Sequence, residues 1–495
     1  MDSTGPDDAF RLGRLRLIRL PPEWIALPAG AKRAVTVPVE LAVGVTDDYG
    51  VDLDMFDSLN LQLQLLDAAT LKPPSGVTLA LDGASSSSPA SSTAVLFTFT
   101  PSRGPFHTLK LSITFSSSSP TNPPPPRLAF RLAASASPPS CPSSAAGGLS
   151  PETRRIRRLL GEPAQKALET WDDKRYVFLS VQSGPVEVRT QGKEVKVAGS
   201  KGTHALTLFS AISLTPGRTV QTALRSIYLF PNQPSSAHDS SAPSPAPRAA
   251  ESSSASSITI VERPGLNNST GQRLWDCAIG LSTFFSLHHS ALDASLPLPT
   301  SPSSDSFSSS TTPSTASEPV TKRARLESEP GRRRKKPKVI ELGAGCALAS
   351  MAVKRLSPDL VVLASDVEAT VETTLQENLA ANSLDGSIEA QVLDWDELDA
   401  ARVDELVGGA SSLTLIGTDI LYNPSSHSLL LSTLISFLRP SSPPIVSSIP
   451  TRALIAYKRR TDGDDAFFDL AREAGLRVEC VWRLGEVSVW SFEGP

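Results

Sequence analysis

The amino-acid sequence predicts an α/β protein in two parts: a β-rich N-terminal region and a C-terminal domain built on a mostly parallel sheet. Residues 59–65 alternate leucine with asparagine or glutamine, which is the period-two pattern of a half-buried strand. After residue 258, short apolar runs alternate with helical patterns, as in sheets whose parallel strands are joined by helices. Serine- and proline-rich segments separate these parts, and we predict that they are disordered linkers.

The composition agrees with ordered domains diluted by such linkers. Of 495 residues, 42 are proline and 30 glycine, and 40% are hydrophobic, slightly below the usual ~45–50%. The formal net charge of -4 argues against a globally basic nucleic-acid binder. The four cysteines are far apart, so neither a disulfide scaffold nor a metal site is predicted. The sequence shows no secretory signal and no membrane-spanning run, and we expect a reducing, intracellular location.

Four regions follow from the changes in pattern along the chain. Residues 1–135 contain alternating runs broken by Gly, Pro and Ser, and a sandwich-like fold is predicted for them. Residues 136–233 are interpreted as a mixed α/β segment, and residues 234–257 as a disordered linker. The C-terminal domain is predicted to span residues 258–495, with a disordered insertion at 292–337 that loops out of the sheet.

The C-terminal domain contains seven apolar runs with helical patterns between them, and the last two runs are predicted to form a hairpin. A seven-stranded, Rossmann-like sheet is therefore predicted. The predicted strands are 339–342, 360–365, 390–393, 413–418, 445–449, 478–482 and 487–492. Ligands of open α/β sheets bind beyond the carboxyl ends of the strands, so the residues that follow each strand are the candidates for function.

A glycine-containing turn follows the first of these strands. Gly343, Ala344 and Gly345 lie between the strand and a predicted helix, and the two glycines permit a tight turn and a close approach of the backbone to a ligand. Residue 348 is not the third glycine of a dinucleotide-binding loop, which argues against a pyrophosphate ligand. Glu341, just before the glycines, favours a cationic or amino-acid-bearing cofactor instead.

Acidic and aromatic residues follow the next three strands. Asp366 ends the second strand about 20 residues beyond the glycines, where a ribose-binding carboxylate is expected, although a helix N-cap explains it equally well on its own. Trp395 follows the third strand and offers an indole to an adenine ring. The fourth strand ends at Thr418, followed by Asp419 and Tyr422 in an Asp-x-x-Tyr pattern. Together these residues predict a cofactor that contains adenosine.

This order of motifs resembles the seven-stranded S-adenosylmethionine-dependent methyltransferases. More narrowly, it resembles the lysine-methyltransferase-like family of protein N-methyltransferases, whose signature is Asp-x-x-Tyr after the fourth strand. Residues 270–278, with a Gly-x-x-x-Trp-Asp pattern, and residues 372–382 and 456–460 resemble further segments of that family. The resemblance covers residues 258–495. Ala347 replaces a glycine common in the family, which we expect to be tolerated in the first turn of a helix.

The resemblance implies that S-adenosylmethionine is the cofactor and that a lysine side chain of a protein substrate accepts the methyl group. It also implies that Asp366 binds the ribose hydroxyls. Asp419 and Tyr422 are implied to be the catalytic residues that face the acceptor amine, Asp419 as a charged partner for the incoming ammonium. The implied cofactor-binding residues are Trp275, Gly343, Ala344, Gly345, Asp366, Trp395 and Thr418.

Other acceptors remain open at this point. A protein histidine, a nucleic acid or a small molecule would suit the same fold and cofactor, although Ile420 and Leu421 replace the proline pair usual in nucleic-acid N-methyltransferases. A catalytically inactive scaffold with this fold is another alternative, and the complete set of motif residues argues against it.

The sequence also leads to expectations about partners and location. Basic blocks at residues 322–325 and 332–338 resemble a bipartite nuclear-import signal, so a cytoplasmic or nuclear location is expected. We expect a monomer whose partner is the protein substrate, without a membrane or nucleic acid. The N-terminal β-rich region is expected to help select that substrate.

Overall fold

The computed structural model describes a β-sandwich in the N-terminal half of the chain and an α/β domain in the C-terminal half. The described residues are 11–19, 21–22, 24–28, 33–48, 50–53, 58–82, 92–116, 125–134, 176–191, 223–229, 256–263, 270–298, 335–439, 449–461 and 463–494. The N-terminal strands are β1 (Arg11–Arg19), β2 (Trp24–Pro28), β3 (Val35–Thr46), β4 (Leu59–Asp67), β5 (Val77–Leu81), β6 (Ala94–Phe99), β7 (Phe106–Phe115), β8 (Arg127–Ala134), β9 (Tyr176–Leu179), β10 (Val181–Ser183), β11 (Val186–Gln191), β12 (Ala223–Leu229) and β13 (Ser256–Glu262).

These strands form two sheets, and most of their buried residues share one hydrophobic core. Leu179, Ile227, Ile258 and Ile260 pack instead into a core of the α/β domain. The first sheet has the order β5-β7-β3-β1-β9, and the second has the order β13-β12-β10-β8-β11-β2, with β4 paired to β6 and β8. Leu59, Leu61, Leu63 and Leu65 of β4 are buried in the core, whereas the polar residues between them are half-buried. The alternation therefore marks a strand with one face in the core, as the period of a strand requires.

The described part of residues 136–233 belongs to the sandwich, which differs from the predicted mixed α/β segment. Strand β9 pairs in parallel with β1, β11 in parallel with β2, and β10 in antiparallel fashion with β8. Strand β13, which was predicted to open the C-terminal domain, forms the edge of the second sheet beside β12. These strands are short and their partners are distant along the chain, so local patterns do not reveal the sheet they join.

The α/β domain begins after β13. Its helices are α1 (Asp276–Leu287), α2 (Leu348–Leu356), α3 (Glu368–Thr370), α4 (Gln376–Ala381), α5 (Ala400–Val407), α6 (His427–Leu438) and α7 (Ala466–Glu473), with a π-helical turn at Val371–Leu375 between α3 and α4. Its strands are β14 (Lys336–Leu342), β15 (Val361–Asp366), β16 (Glu389–Val392), β17 (Ala410–Thr418), β18 (Thr451–Lys458), β19 (Arg477–Leu484) and β20 (Val487–Glu493).

The seven C-terminal strands form one sheet in the order β16-β15-β14-β17-β18-β20-β19. Strands β14 to β18 are parallel to one another, and β20 is antiparallel to both β18 and β19. Helices α1, α2 and α4 cover one face of the sheet, and α5, α6 and α7 cover the other. The strand order changes direction between β14 and β17, and the carboxyl ends of these two strands therefore border the ligand crevice expected of such a sheet.

Two predicted boundaries of the α/β domain differ from the structure. The fifth strand is β18, whereas the predicted strand 445–449 lies mostly outside the described residues. Residues 452–457 of β18 are all buried, and an apolar run without alternation does not distinguish a central strand from a buried helix. The insertion predicted at 292–337 is also shorter at both ends. Leu292 is buried, its carbonyl accepts a hydrogen bond from Oγ1 of Thr414 at 3.1 Å, and β14 begins at Lys336.

Two asparagine side chains complete the edge of β13. Asn378 lies in α4, and Asn382 is the residue after that helix. Oδ1 of Asn382 accepts from the N–H of Thr259, and Oδ1 of Asn378 accepts from the N–H of Val261, both at 2.8 Å. Their Nδ2 atoms donate to the carbonyls of the same two residues, at 2.7 and 3.2 Å. The sandwich and the α/β domain are therefore joined by hydrogen bonds that imitate a further strand. In the parts of the chain listed above, no helix is long and apolar enough to cross a membrane.

Candidate functional site

The turn after β14 lies at the crevice between β14 and β17. Gly343 and Gly345 have φ angles of 61° and 52°, a left-handed conformation that favours glycine. A Cβ atom on Gly343 would lie 2.9 Å from Cγ2 of Ile420 and 4.0 Å from Cζ2 of Trp395. Both glycines are half-buried, whereas Ala344 between them is buried. A ligand in this crevice therefore meets the backbone of the turn.

Ala347 also has a left-handed backbone, with a φ angle of 58°. It directly precedes Leu348, the first residue of α2, instead of lying in the first turn of the helix. The expected location was therefore wrong, and the structure explains why glycine is common at this position in the family that the motifs resemble. A left-handed alanine costs about 1–2 kcal/mol. The complete burial of the Ala347 methyl group offsets part of that cost.

Asp366, at the end of β15, lies across the turn from the glycines. Its Oδ2 accepts a hydrogen bond from the N–H of Gly345, and its Oδ1 accepts from the N–H of Val367, both at 2.8 Å. Burial raises the pKa of Asp366, and these backbone donors offset only part of the increase. A carboxylate has about four acceptor positions, so this one retains capacity for the hydroxyl groups of a ligand.

The segment from Thr270 to Trp275 connects the glycine turn to the end of the fourth parallel strand. A Cβ on Gly345 would lie 3.4 Å from the carbonyl oxygen of Gly271, so the segment packs closely on the turn. The indole N–H of Trp275 donates to the carbonyl of Thr270 at 2.9 Å. Oγ1 of Thr270 lies 3.4 Å from the hydroxyl of Tyr422, at hydrogen-bond distance. One short segment thus contacts both sides of the crevice.

Three more predicted residues border this crevice with different exposures. Tyr422 is 49% exposed and its ring is accessible to a partner. Trp395 is half-buried, lies just beyond β16 and packs beside Gly343. Thr418 ends β17 and is buried.

Asp419 does not present the free carboxylate that the resemblance implied. Its side chain is buried, and Arg460 donates to both carboxylate oxygens, through Nε to Oδ1 at 3.2 Å and through Nη2 to Oδ2. Burial raises the pKa of Asp419, and the guanidinium of Arg460 opposes that rise. The correction has a simple cause: an arginine 41 residues along the chain already supplies the counter-charge. Asp419 also has a left-handed φ of 59°, which aspartate tolerates better than most residues.

Arg460 and its neighbours form a buried ion network with the β-sandwich. Nη1 of Arg460 lies 2.6 Å from Oδ2 of Asp48 in an ion pair that lacks hydrogen-bond alignment, and Nζ of Lys458 lies 3.3 Å from Oδ1 of Asp48. Lys458 also lies 2.9 Å from Asp276, which in turn lies 2.7 Å from Nη1 of Arg14. The side chain of Asp48 is fully buried. Burial opposes its ionisation, but Arg14, Arg460 and Lys458 outweigh that effect and lower the pKa of Asp48 to about 2.

Glu341 has a supporting position instead of a ligand-facing one. It is fully buried; its Oε2 accepts a hydrogen bond from the N–H of Ser350 in α2 at 2.9 Å, and its Oε1 has no hydrogen-bond partner within the described part of the chain. Burial raises the pKa of Glu341 to about 7, although the hydrogen bonds from Ser350 lower it in part. The carboxyl group therefore meets a helix, not the cationic ligand that its sequence position had favoured.

Sequence reasoning missed the residues that surround Asp419. Lys458 and Arg460 were noted only as part of a resembling segment, and Asp48 and Arg14 were not singled out at all. A signal was present for the first two, because the basic residues 458–460 come directly after the apolar run 453–457. No local signal marks Asp48, which lies 410 residues before Lys458 in the chain.

The donors of this crevice fit S-adenosylmethionine. The glycine turn offers close backbone contact, Asp366 retains acceptor positions for ribose hydroxyls, and the indoles of Trp275 and Trp395 lie at the rim. The described residues contain no group of three or more metal-ligating side chains. The fit therefore rests on backbone donors, one carboxylate and aromatic surface.

Several solved methyltransferase structures resemble part of this chain. They include an O-methyltransferase family protein from Burkholderia thailandensis, at 17% identity and a TM-score of 0.25, covering 32% of this chain and 51% of that one. A second is N,N-8-amino-8-demethyl-D-riboflavin dimethyltransferase from Streptomyces davawensis, at 16% identity and a TM-score of 0.26, covering 32% and 50%. A third is an O-methyltransferase from neocarzinostatin biosynthesis, solved with S-adenosylmethionine, at 16% identity and a TM-score of 0.24, covering 32% and 49%. The chain spans about half the length of these proteins, and likenesses this partial do not bear on function.

The sequence of the α/β domain matches a known protein family. No curated protein matches the chain significantly. Residues 253–474 match the family described as lysine methyltransferase, and this range includes the glycine turn, Asp366, Asp419 and Tyr422. The match confirms the resemblance found in the motifs and, with it, S-adenosylmethionine as the cofactor. Over residues 253–474, this chain is therefore similar to the lysine methyltransferase family.

Proposed function

We propose that this protein is an S-adenosylmethionine-dependent methyltransferase that methylates a lysine side chain of a protein substrate. The observation that carries the proposal is the position of Tyr422, whose half-exposed side chain lies 3.4 Å from the segment that packs on the glycine turn. A group bound against Tyr422 is therefore adjacent to the cofactor crevice. The family match supports lysine among the possible acceptors.

The cofactor side of the proposed site uses residues of the α/β domain alone. The turn Gly343–Gly345 would hold the methionine part through its backbone, and Asp366 would accept hydrogen bonds from the ribose hydroxyls. Trp275 and Trp395 would flank the cofactor, and the backbone at Thr418 would border it. When bound, S-adenosylmethionine supplies a methyl group attached to positively charged sulfur.

The acceptor side must favour a neutral amine. A lysine with its ordinary pKa near 10.4 is mostly protonated at neutral pH, and removal from water favours loss of that proton. Tyr422 and Trp275 provide aromatic surface for this desolvation. Because the carboxylate of Asp419 is already paired with Arg460, it does not hold the ammonium form in place. Asp419 acts on the acceptor through Arg460, and alignment of the amine in the crevice supplies the remaining acceleration.

The test uses the full chain and a radioactive methyl donor. Purified protein is added to lysate from cells that lack it, and labelled proteins are hydrolysed in acid. We expect label in methyl-lysine, with transfer reduced at least tenfold in a Tyr422→Phe variant. A matched control is Tyr457→Phe, because Tyr457 is buried and its hydroxyl donates to Asp465 away from the crevice.

Each other outcome identifies one of the alternatives. Label in methyl-histidine, nucleic acid or a small molecule would keep the fold and the cofactor and change the acceptor. Absence of label from every fraction, in a protein that still binds S-adenosylmethionine, would indicate a catalytically inactive scaffold.

We also propose nuclear import through the basic residues before β14. The first block, 322–325, and residues 332–334 lie outside the described residues. Lys335 and Lys336 are exposed, whereas Lys338 is buried in β14, so an import receptor would use the residues before 337. Replacing the basic residues of 322–325 and 332–335 with alanine should abolish nuclear accumulation of a fluorescent fusion. Unchanged accumulation would contradict the proposal.

A further inference from the structure

The tip of the turn after β3 carries a charged side chain into the α/β domain. The turn is tight, because Thr46 and Asp52 form an isolated bridge and the N–H of Gly50 donates to the carbonyl of Asp47 at 3.2 Å. A carboxylate at a turn is usually exposed, yet the side chain of Asp48 is fully buried. It is buried against Lys458 and Arg460, which follow the functional edge of the sheet. The position of Asp48 therefore depends on the contact between the two domains.

A continuous series of contacts leads from Asp48 to the acceptor side of the site. Asp48 pairs with Arg460 at 2.6 Å, and the guanidinium of Arg460 lies over the ring of Trp275, 5.2 Å from its centroid. The indole N–H of Trp275 donates to the carbonyl of Thr270 at 2.9 Å, and Thr270 lies 3.4 Å from the hydroxyl of Tyr422. Movement of Arg460 would thus be transmitted to both proposed acceptor-side rings.

The charges of this network lie mostly in a buried region. Besides Glu486, a partly exposed carboxylate 3.2 Å from Nζ of Lys458, the network contains the basic side chains of Arg14, Lys458 and Arg460 and the acidic side chains of Asp48, Asp276 and Asp419. Lys458, the most exposed of the six, has a side chain that is 13% exposed. A buried ion pair adds little stability when intact, but loss of one partner is costly because the other charge stays buried and unpaired. Removing the charge of Asp48 would take one carboxylate partner from Arg460 and one from Lys458.

We propose that Asp48 of the β-sandwich is a positioning residue for methyl transfer, which holds Arg460 between Asp419 and Trp275. This proposal rests on the proposed function. It makes the sandwich a structural part of the catalytic centre, beyond the substrate-selecting role expected from its sequence. Asp48 itself touches neither crevice ring, so its effect on turnover passes through Arg460.

The experiment compares full-length variants in the methyl-transfer assay and in calorimetric titration with S-adenosylmethionine. Asp48→Asn preserves shape and removes the charge. We expect kcat to fall at least tenfold and the dissociation constant for S-adenosylmethionine to change by a smaller factor, because the glycine turn and Asp366 contact no member of the network and only Trp275 links the network to the proposed cofactor site. Glu40→Gln is the matched control. Glu40 lies in β3, the strand that leads into this turn, and its ion pair with Arg19 is exposed.

A second pair of variants distinguishes the positioning of Arg460 from the charge balance of the ion network. The same pair tests the proposal if Asp48→Asn alone does not fold. Lys458→Met in the Asp48→Asn background restores the net charge that the network has in the wild type. The double variant should unfold at a temperature closer to wild type than Asp48→Asn does, yet its kcat should remain at least tenfold below that of Lys458→Met alone.

Two results would overturn the proposal. One is a folded Asp48→Asn protein with kcat within twofold of wild type, and the other is a double variant whose kcat equals that of Lys458→Met. Both would show that Asp48 is only a structural counter-charge. Failure of the proposed function looks different, because the wild-type protein itself would then transfer no methyl group to any lysine.

Discussion

The two sides of the site are built in different ways. On the cofactor side, the N–H of Gly345 donates to the carboxylate of Asp366, which lies only 21 residues further along the chain. Gly345 follows β14, and Asp366 ends the adjacent strand β15. On the acceptor side, Asp419 is held by Arg460, which is held in turn by Asp48 of another domain. Backbone geometry defines the first side, and long-range electrostatics define the second.

This difference separates what a local motif specifies from what the whole fold specifies. A glycine turn between a strand and a helix fixes its own backbone, and the acid at the next strand end is placed by the pleat of the sheet. An aspartate at a strand end has no such fixed environment. Whether Asp419 is free or paired depends on residues that only the tertiary fold brings near.

The largest expected effect is the loss of cofactor binding in Asp366→Ala. The variant removes the acceptors for two backbone N–H groups and for the ribose, and we expect binding of S-adenosylmethionine to weaken by about 2–4 kcal/mol. Calorimetric titration measures the change. Asp385→Ala, at an exposed carboxylate on the opposite end of the sheet, should bind as wild type does. Unchanged affinity in a folded Asp366→Ala protein would remove the ribose-binding role.

A second expected effect is a pH dependence of the free energy of unfolding that arises from Glu341. The pKa of Glu341 is raised from 4.5 to about 7 by burial, so the unfolded chain loses this proton at a lower pH than the folded chain does. The free energy of unfolding should therefore decrease as the pH rises from 4.5 towards 7 and then level off, by about 3 kcal/mol in total. Denaturant titrations near pH 5 and pH 8 should show this decrease in wild type and not in Glu341→Gln. Equal pH dependence in both proteins would contradict the prediction.

On the acceptor side, Asp419→Asn should reduce methyl transfer and spare cofactor binding. Asparagine tolerates the left-handed backbone of this position and keeps the shape, but it removes the charge that holds Arg460. Turnover should fall about a hundredfold, which corresponds to about 2.7 kcal/mol, with cofactor affinity unchanged. A variant with near-normal turnover would show that Arg460 needs no carboxylate on this side. A variant that also loses cofactor binding would show that the two sides of the site are not separable.

The smallest effect is expected from the insertion. Replacing residues 299–334 with a short Gly/Ser linker should change the free energy of unfolding by less than about 1 kcal/mol, because long surface connections close at small entropic cost. Methyl transfer should stay within twofold of wild type. The contacts of residues 292–296 must be kept: Oδ1 of Asp293 accepts from Oγ of Ser412 at 2.6 Å, and Nη2 of Arg452 donates to the carbonyl of Ala294 at 2.7 Å. Asp293→Ala should therefore destabilise the protein more than the whole replacement does.

The positions of several residues on the proposed cofactor side could be predicted from the sequence. Gly343, Gly345 and Asp366 occupy strand ends at the crevice, because each lies next to an apolar run whose direction is fixed by the sheet. Trp395 was also placed correctly beside the turn. The role of each residue in binding remains a prediction that the variants above test.

The acceptor side and the domain boundary could not be predicted in the same way. A buried charge such as Asp48 looks like any surface turn residue in sequence, and its partner lies 410 residues away. Strand β13 appeared to belong to the domain that follows it, because a single strand carries no record of the sheet it will join. Strand β18 lacked alternation, since both of its faces are covered by helices.

The asparagine pair that completes the edge of β13 has a consequence for synthesis of the chain. Asn378 and Asn382 lie 117 and 123 residues after the backbone groups they satisfy. At about 5–20 residues per second, a ribosome needs about 6–25 s to supply them once β13 has been made. During that interval the nascent sandwich carries an open strand edge, the kind of surface that pairs with other chains. A chaperone that occupies such edges should therefore bind ribosome-attached chains truncated before residue 378 and release those that extend well beyond 382.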